Sequence, residues 1–210
     1  MQQLILKDFF LQRKIFLVYL ILPVYGMLQR YIEPYQLAVV CFTTCLLMIS
    51  ISLSIEDKNR TEKILVSLPF VRKDIVIAKY LSTVLFVGCG LIITFIFFLL
   101  PKFLIDKNIN IPWYAIFIAI FVSILYAIMV LPIKYGGNKQ TVTIFSLVIL
   151  FPLVGLLGFM CNVFAEERLM LMFFRSSNVV LIATVLSIGA CVAYLISLVF
   201  SIAIFKDKEL

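Results

Sequence analysis

Six apolar runs, at about 15–29, 35–55, 78–100, 113–131, 141–161 and 179–205, leave this chain few ways to fold. A helix rises about 1.5 Å per residue, so a run of roughly 20 residues crosses the hydrocarbon core of a bilayer. Of the 210 residues 64% are hydrophobic and only 14% are charged, and the charges gather between the runs. The pattern predicts an all-α polytopic membrane protein: six transmembrane helices in a single domain over 1–210. The first run is the shortest, about 22 Å as a helix, and Pro23 kinks it. Pro34 opens the second, where Thr43, Thr44, Ser50, Ser52 and Ser54 provide small polar surfaces for helix packing. Gly88 and Gly90 let a neighbour approach the third, which Pro101 and Lys102 end. Trp113 and Tyr114 anchor the fourth at an interface. Pro132, Gly136 and Gly137 break the chain before the fifth, which Pro152, Gly155 and Gly158 bend.

The longest polar stretch, 56–80, carries Lys58, Arg60, Lys63, Arg72, Lys73 and Lys79 against Glu56, Asp57, Glu62 and Asp74. A charge at the centre of a bilayer helix costs about 2.5 to 3.5 kcal/mol, so this stretch is expected in water or at the membrane surface. Ile64, Leu65 and Leu68 recur at helical spacing, with Lys58, Asn59, Glu62 and Lys63 on the other face. Pro69 stops this short amphipathic helix, and a second helix follows the turn through Phe70 and Val71. Two readings remain open: a solvated loop with snorkelling lysines, or a helix across the membrane face that fits a groove in a partner.

Residues 1–14 set Leu4, Ile5, Phe9 and Phe10 against Gln3, Lys7, Gln12 and Arg13, the pattern of an interfacial helix on a leaflet whose polar handles include Lys7, Asp8, Arg13 and Lys14. Asp8 in the would-be basic region, and no small-residue cleavage site after Leu28, argue for retention of this segment rather than a signal peptide. Six crossings place both termini on one side, together with thirteen of the 18 Lys and Arg residues. Positive-inside logic makes that side cytosolic. The formal charge of +7 lies at the ends of membrane segments, where it meets anionic lipid and not nucleic acid. Cys41, Cys45, Cys89, Cys161 and Cys191 fall in or beside apolar runs with no histidine anywhere, which suits small buried hydrophobes rather than zinc or disulfides.

Apart from Lys79, counted here with the polar stretch, the spans as drawn hold no Asp, Glu, Lys, Arg or His. Secondary transporters need such groups to bind a coupling ion, so the energy is expected to come from elsewhere. No phosphate-binding G-x-x-x-x-G-K-[ST] occurs, so any ATP is hydrolysed by another polypeptide. Glu166 and Glu167 resemble the paired glutamates of intramembrane prenyl proteases, but Leu171 stands where that family has an arginine.

The run TEKILVSLPFVRKDIVIAKYL resembles the most recognisable block of the small ABC-2 type permeases of bacterial ABC transporters. LPIKYGGNKQ is similar to that family's link after helix 4, and LKDFFLQRK to its amphipathic N-terminal segment. The resemblance implies that 56–80 is a cytosolic coupling segment between transmembrane helices 2 and 3, docking on a separate ATPase subunit through Asn59, Arg60, Thr61, Glu62, Lys63, Ile64, Leu65, Leu68 and Pro69. It implies a second permease subunit, identical or homologous, ATP and magnesium held by the ATPase, no cofactor and no enzymatic activity in this chain, and a bacterial plasma membrane. Within the family the chain resembles the small permeases that export amphipathic peptides such as phenol-soluble modulins or that confer resistance to peptide antibiotics. The same resemblance implies short re-entrant or external helices over 162–178, which a plain loop would also satisfy. Val71 departs from the pattern, since a Ser or Thr cap is expected there; Asp74 compensates as a first-turn acid. The alternatives are a non-transporting immunity or sensor protein and an ion channel.

Overall fold

The computed structural model describes residues 2–28, 34–59, 71–105, 113–137, 139–165 and 179–207, and every regular element among them is helical. Helix α1 is Gln2–Gln12; a 3-10 turn at Arg13–Ile15 leads into α2, Phe16–Leu28. Then follow α3, Pro34–Lys58; α4, Arg72–Ile105; α5, Trp113–Gly136; α6, Lys139–Ala165; and α7, Val179–Asp207. Four stretches, Gln36–Lys58, Arg72–Leu99, Ile116–Gly136 and Ile188–Lys206, are long and apolar enough to cross a membrane, and Ile144–Met160 is a shorter apolar one.

Several helices outrun the expected boundaries. α4 begins at Arg72, as expected of the second helix after the Phe70–Val71 turn, but continues through Pro101, and α5 continues through Pro132 to Gly136. A proline removes one backbone hydrogen bond, whereas ending a helix in an apolar medium strands several polar groups, so continuation costs less. Asp74 does lie in the first turn of α4, and its amide bonds the Val71 carbonyl at 2.9 Å. α6 likewise carries Pro152 inside it.

α3 and α5 form the middle of the bundle. α3 touches α2, α4, α5 and α6; α5 touches α3, α4, α6 and α7; and α7 also lies against α4. Phe42, Ile49, Val76, Tyr80, Val122, Tyr126, Leu131, Leu157 and Phe205 fill the shared core, while Tyr19, Met48 and Phe86 make a smaller cluster where α2 meets α3 and α4. A close crossing of α3 and α4 lies at Gly90, where an added Cβ would lie 2.9 Å from Cys45 Sγ and 3.3 Å from Cys45 Cα. Gly88, by contrast, faces open space. Outward faces are apolar, as at Leu17 and Ile21 of α2, Phe151 and Phe159 of α6 and Val199 and Phe200 of α7. Cys41 and Cys45 are buried as expected, but Cys191 is exposed on α7, because a lipid-facing position accepts a small apolar side chain as well as the core does.

The N-terminal helix corrects its sequence reading. The face of α1 turned to α3 and α4 is Leu4, Asp8 and Gln12, all buried, while Leu6 and Phe10 point outward. Periodicity separates two faces but does not say which meets protein, and in lipid the apolar one can face out. Gln12 Nε2 donates to the Met48 carbonyl at 3.0 Å, and the Phe9 and Phe86 rings stack with centroids 4.9 Å apart. α1 is thus docked on the bundle, not merely laid on a leaflet.

Candidate functional site

The hydroxyls of α3 divide into two kinds. Thr43, Thr44 and Ser54 donate to carbonyls of their own helix, three or four residues back, as Ser and Thr do inside helices. Ser50 and Ser52 instead reach across, to the Tyr126 hydroxyl at 3.0 Å and to Lys79 Nζ at 2.7 Å. Ser52 lies one helical turn before Glu56, and there the character of the core changes.

Glu56, near the end of α3, accepts from three lysines on three other helices or turns of helix. Lys79 Nζ of α4 lies 3.0 Å from Oε1, Lys7 Nζ of α1 lies 3.2 Å from the same oxygen, and Lys134 Nζ of α5 pairs with Oε2. Asp8 adds a second acid: its Oδ2 is 3.3 Å from Lys79 Nζ and accepts from Ser82 Oγ at 2.7 Å, and its Oδ1 is 3.3 Å from Lys7 Nζ. Asp57 Oδ1 stands 4.0 Å from Lys134 Nζ. Three carboxylates thus face three ammonium groups. The side chains of Asp8, Lys79 and Lys134 are only 3%, 4% and 6% exposed, and that of Glu56 12%, so water screens these pairs weakly. Leu4, Ile75, Ala78 and Tyr135 wall the cluster, around a space of about 30 Å³.

Such a cluster is cheap only when complete. Removing one partner of a buried pair leaves a bare charge and costs about 3 to 5 kcal/mol, whereas well-packed apolar replacements of a whole pair are often neutral. The arrangement therefore does little for net stability compared with what it does for specificity: it fixes α1, α3, α4 and α5 in one mutual register. Since every carboxylate already faces an amine, it suits ion pairing and not metal capture.

This overturns one expectation directly. Glu56, Lys79 and Lys134 were assigned to solvated links outside the spans, yet all three lie in helices that continue into the bundle. The protein interior, not water, solvates them, by mutual pairing. Lack of internal ionisable groups consequently ceases to be an argument about the energy source. Of the residues singled out beforehand, Lys7 and Asp8 join the cluster, Arg13 is exposed in the 3-10 turn, and Asn59 follows α3 with its amide bonded to the Ile55 carbonyl at 3.0 Å. Arg60, Thr61, Glu62, Lys63, Ile64, Leu65, Leu68 and Pro69, and the side chain of Lys14, lie outside the described residues, as does most of 162–178. The signal missed was a charge embedded in apolar sequence, Lys79 in IAKYL and Lys134 in LPIKY.

The cluster sits at the two helix ends that segment 60–70 joins, Lys58 on one side and Arg72 on the other. A second tie lies close by in sequence: an Arg72 guanidinium nitrogen donates to the Lys206 carbonyl at 2.9 Å, near the end of α7. The ends of α3, α5 and α7, the start of α4, and α1 are therefore gathered at one end of the bundle. Comparison with protein families matches residues 3–206 to the ABC-2 family transporter protein. The chain belongs to this family. Its members are generally non-enzymatic membrane subunits, and membership implies association with ABC ATPases. Comparisons with curated proteins and with solved structures find no match.

Proposed function

We propose that this ABC-2 chain is the membrane subunit of an ATP-driven exporter in a bacterial plasma membrane, with six spans and both termini cytosolic. Segment 60–70 docks on a cytosolic ATPase that binds the ATP and magnesium, and two permease subunits, identical or homologous, line the path. Hydrophobic or amphipathic cargo, such as phenol-soluble modulins or antimicrobial peptides, suits the apolar outward surfaces of the helices.

The observation that carries this reading is the convergence on the roots of 60–70. Glu56 before it is tied to α1, α4 and α5, and Arg72 after it is tied to α7. A push on the segment cannot move α3 or α4 alone, because buried ion pairs resist separation. It must move the register as a unit or break it.

Replacing Glu62 and Lys63 together with alanine tests the assignment. Co-purification with the ATPase should weaken, or hydrolysis should lose its dependence on cargo, while membrane insertion stays intact. Unchanged binding and transport would remove 60–70 from the coupling pathway.

A further inference from the structure

Lys79 and Tyr80 are consecutive residues of α4, about two turns inside the bundle from Arg72, and their side chains diverge by about 100° around the helix. Lys79 serves the charged register on α1 and α3. Tyr80 is 1% exposed and points to the other side, at α7, where its hydroxyl lies 2.8 Å from Ser197 Oγ and 2.7 Å from Ser201 Oγ. Ser197 and Ser201 are themselves buried and one helical turn apart.

Hydrogen inventory orders this group. A hydroxyl donates one hydrogen. Ser197 donates its hydrogen to the Ile128 carbonyl of α5 at 2.8 Å, so Tyr80 donates to Ser197, and Ser201 donates to Tyr80. The chain therefore runs from Ser201 of α7 through Tyr80 of α4 and Ser197 of α7 to the backbone of α5. Tyr194 closes a second link, donating to the Tyr80 carbonyl at 2.8 Å, with the two rings packed edge to face at 5.1 Å. Among the described residues Tyr80 thus gathers, on its hydroxyl and its carbonyl, the polar contacts by which the first third of α4 holds α7.

We propose that Tyr80 is the positioning residue that hands displacement of α4 on to α7 and α5, so that a push entering at segment 60–70 leaves through two outputs, Lys79 towards α1 and α3 and Tyr80 towards α7. The proposal rests on the coupling role given to 60–70 above. Spacing of Ser197 and Ser201 by one turn makes the contact tolerant of sliding: the tyrosine hydroxyl keeps one partner while α7 shifts along its axis. An apolar contact at the same place would hold α7 less specifically, because dispersion has no preferred partner atom.

The test uses the complex with its ATPase in nanodiscs, with hydrogen exchange followed with and without a non-hydrolysable ATP analogue. In the wild type, nucleotide should change protection both at the end of α3 and over the second half of α7. Tyr80→Phe should keep the change at α3 and lose it at α7, whereas Tyr126→Phe, which unties a hydroxyl pairing α5 with α3, should keep both. An α7 response in Tyr80→Phe equal to that of the wild type overturns the proposal, as does loss at α3 and α7 together. A wild-type complex with no response at α3 would instead strike the coupling role of 60–70. In that event thermal unfolding of the isolated chain decides for Tyr80: Tyr80→Phe and Ser201→Ala should be non-additive, and additive losses would refute the hydroxyl chain.

Discussion

Helices α3 and α4 meet twice, and the two meetings are held by opposite physics. At Gly90 and Cys45 the backbones approach until no side chain fits between them, and the contact is steric. At Glu56 and Lys79 the same helices are kept together by charge, with a lysine from α1 and another from α5 sharing the acid. A steric contact has one acceptable distance and no alternative partner, so it serves as a fixed point. An ion-pair cluster gives each group several partners, so it ties four helices at once. The lesson is that the charged end binds four helices into one register, whereas the glycine crossing fixes the separation of a single pair.

The comparison can be broken at either contact. The largest effect is expected for Glu56→Gln, which takes the central acid from three lysines, leaves buried Lys134 with only Asp57 at 4.0 Å, and should cost about 3 to 5 kcal/mol in thermal unfolding of the purified chain. Adding Lys134→Met to that variant should recover part of the loss; no recovery would mean that the pair is not what holds α3 to α5. Next is Gly90→Ala, which forces a Cβ against Cys45 and should cost about 1 to 3 kcal/mol. Gly88→Ala meets nothing within 4 Å and serves as the control, so equal losses for the two would contradict the close crossing. The smallest effect is expected for Asp8→Asn, which keeps the shape and a Ser82 contact and leaves Lys7 and Lys79 still paired with Glu56, so that the hold on α1 weakens by about 1 kcal/mol. It should appear as faster hydrogen exchange in α1 with little change in α5.

Legibility from sequence differed sharply between the helices and the site. The apolar runs announced helices in the right order, and Pro34 was rightly taken as the start of α3. Prolines were over-read: Pro101 and Pro132 were given the power to end helices that they hold only where water can satisfy the freed groups. In the site, Lys7 and Asp8 stood out as charges on an amphipathic segment, but the amphipathic pattern assigned Asp8 to the outer face when it is among the most buried residues. Lys79 and Lys134 were counted for orientation, and Glu56 only as an acid of the polar stretch. Nothing local distinguishes a lysine that snorkels to water from one that finds a carboxylate.

Chain composition and run length by themselves determined that this protein is helical and belongs in a membrane, because backbone groups in lipid must bond within their own segment and about twenty apolar residues suffice to cross. Tertiary structure alone decided which faces meet. Lys134 finds Glu56 across 78 positions of sequence and Lys79 finds Asp8 across 71. When lipid and protein core are equally apolar, sequence periodicity leaves the rotation of each helix about its axis unspecified, and only the packed bundle settles it.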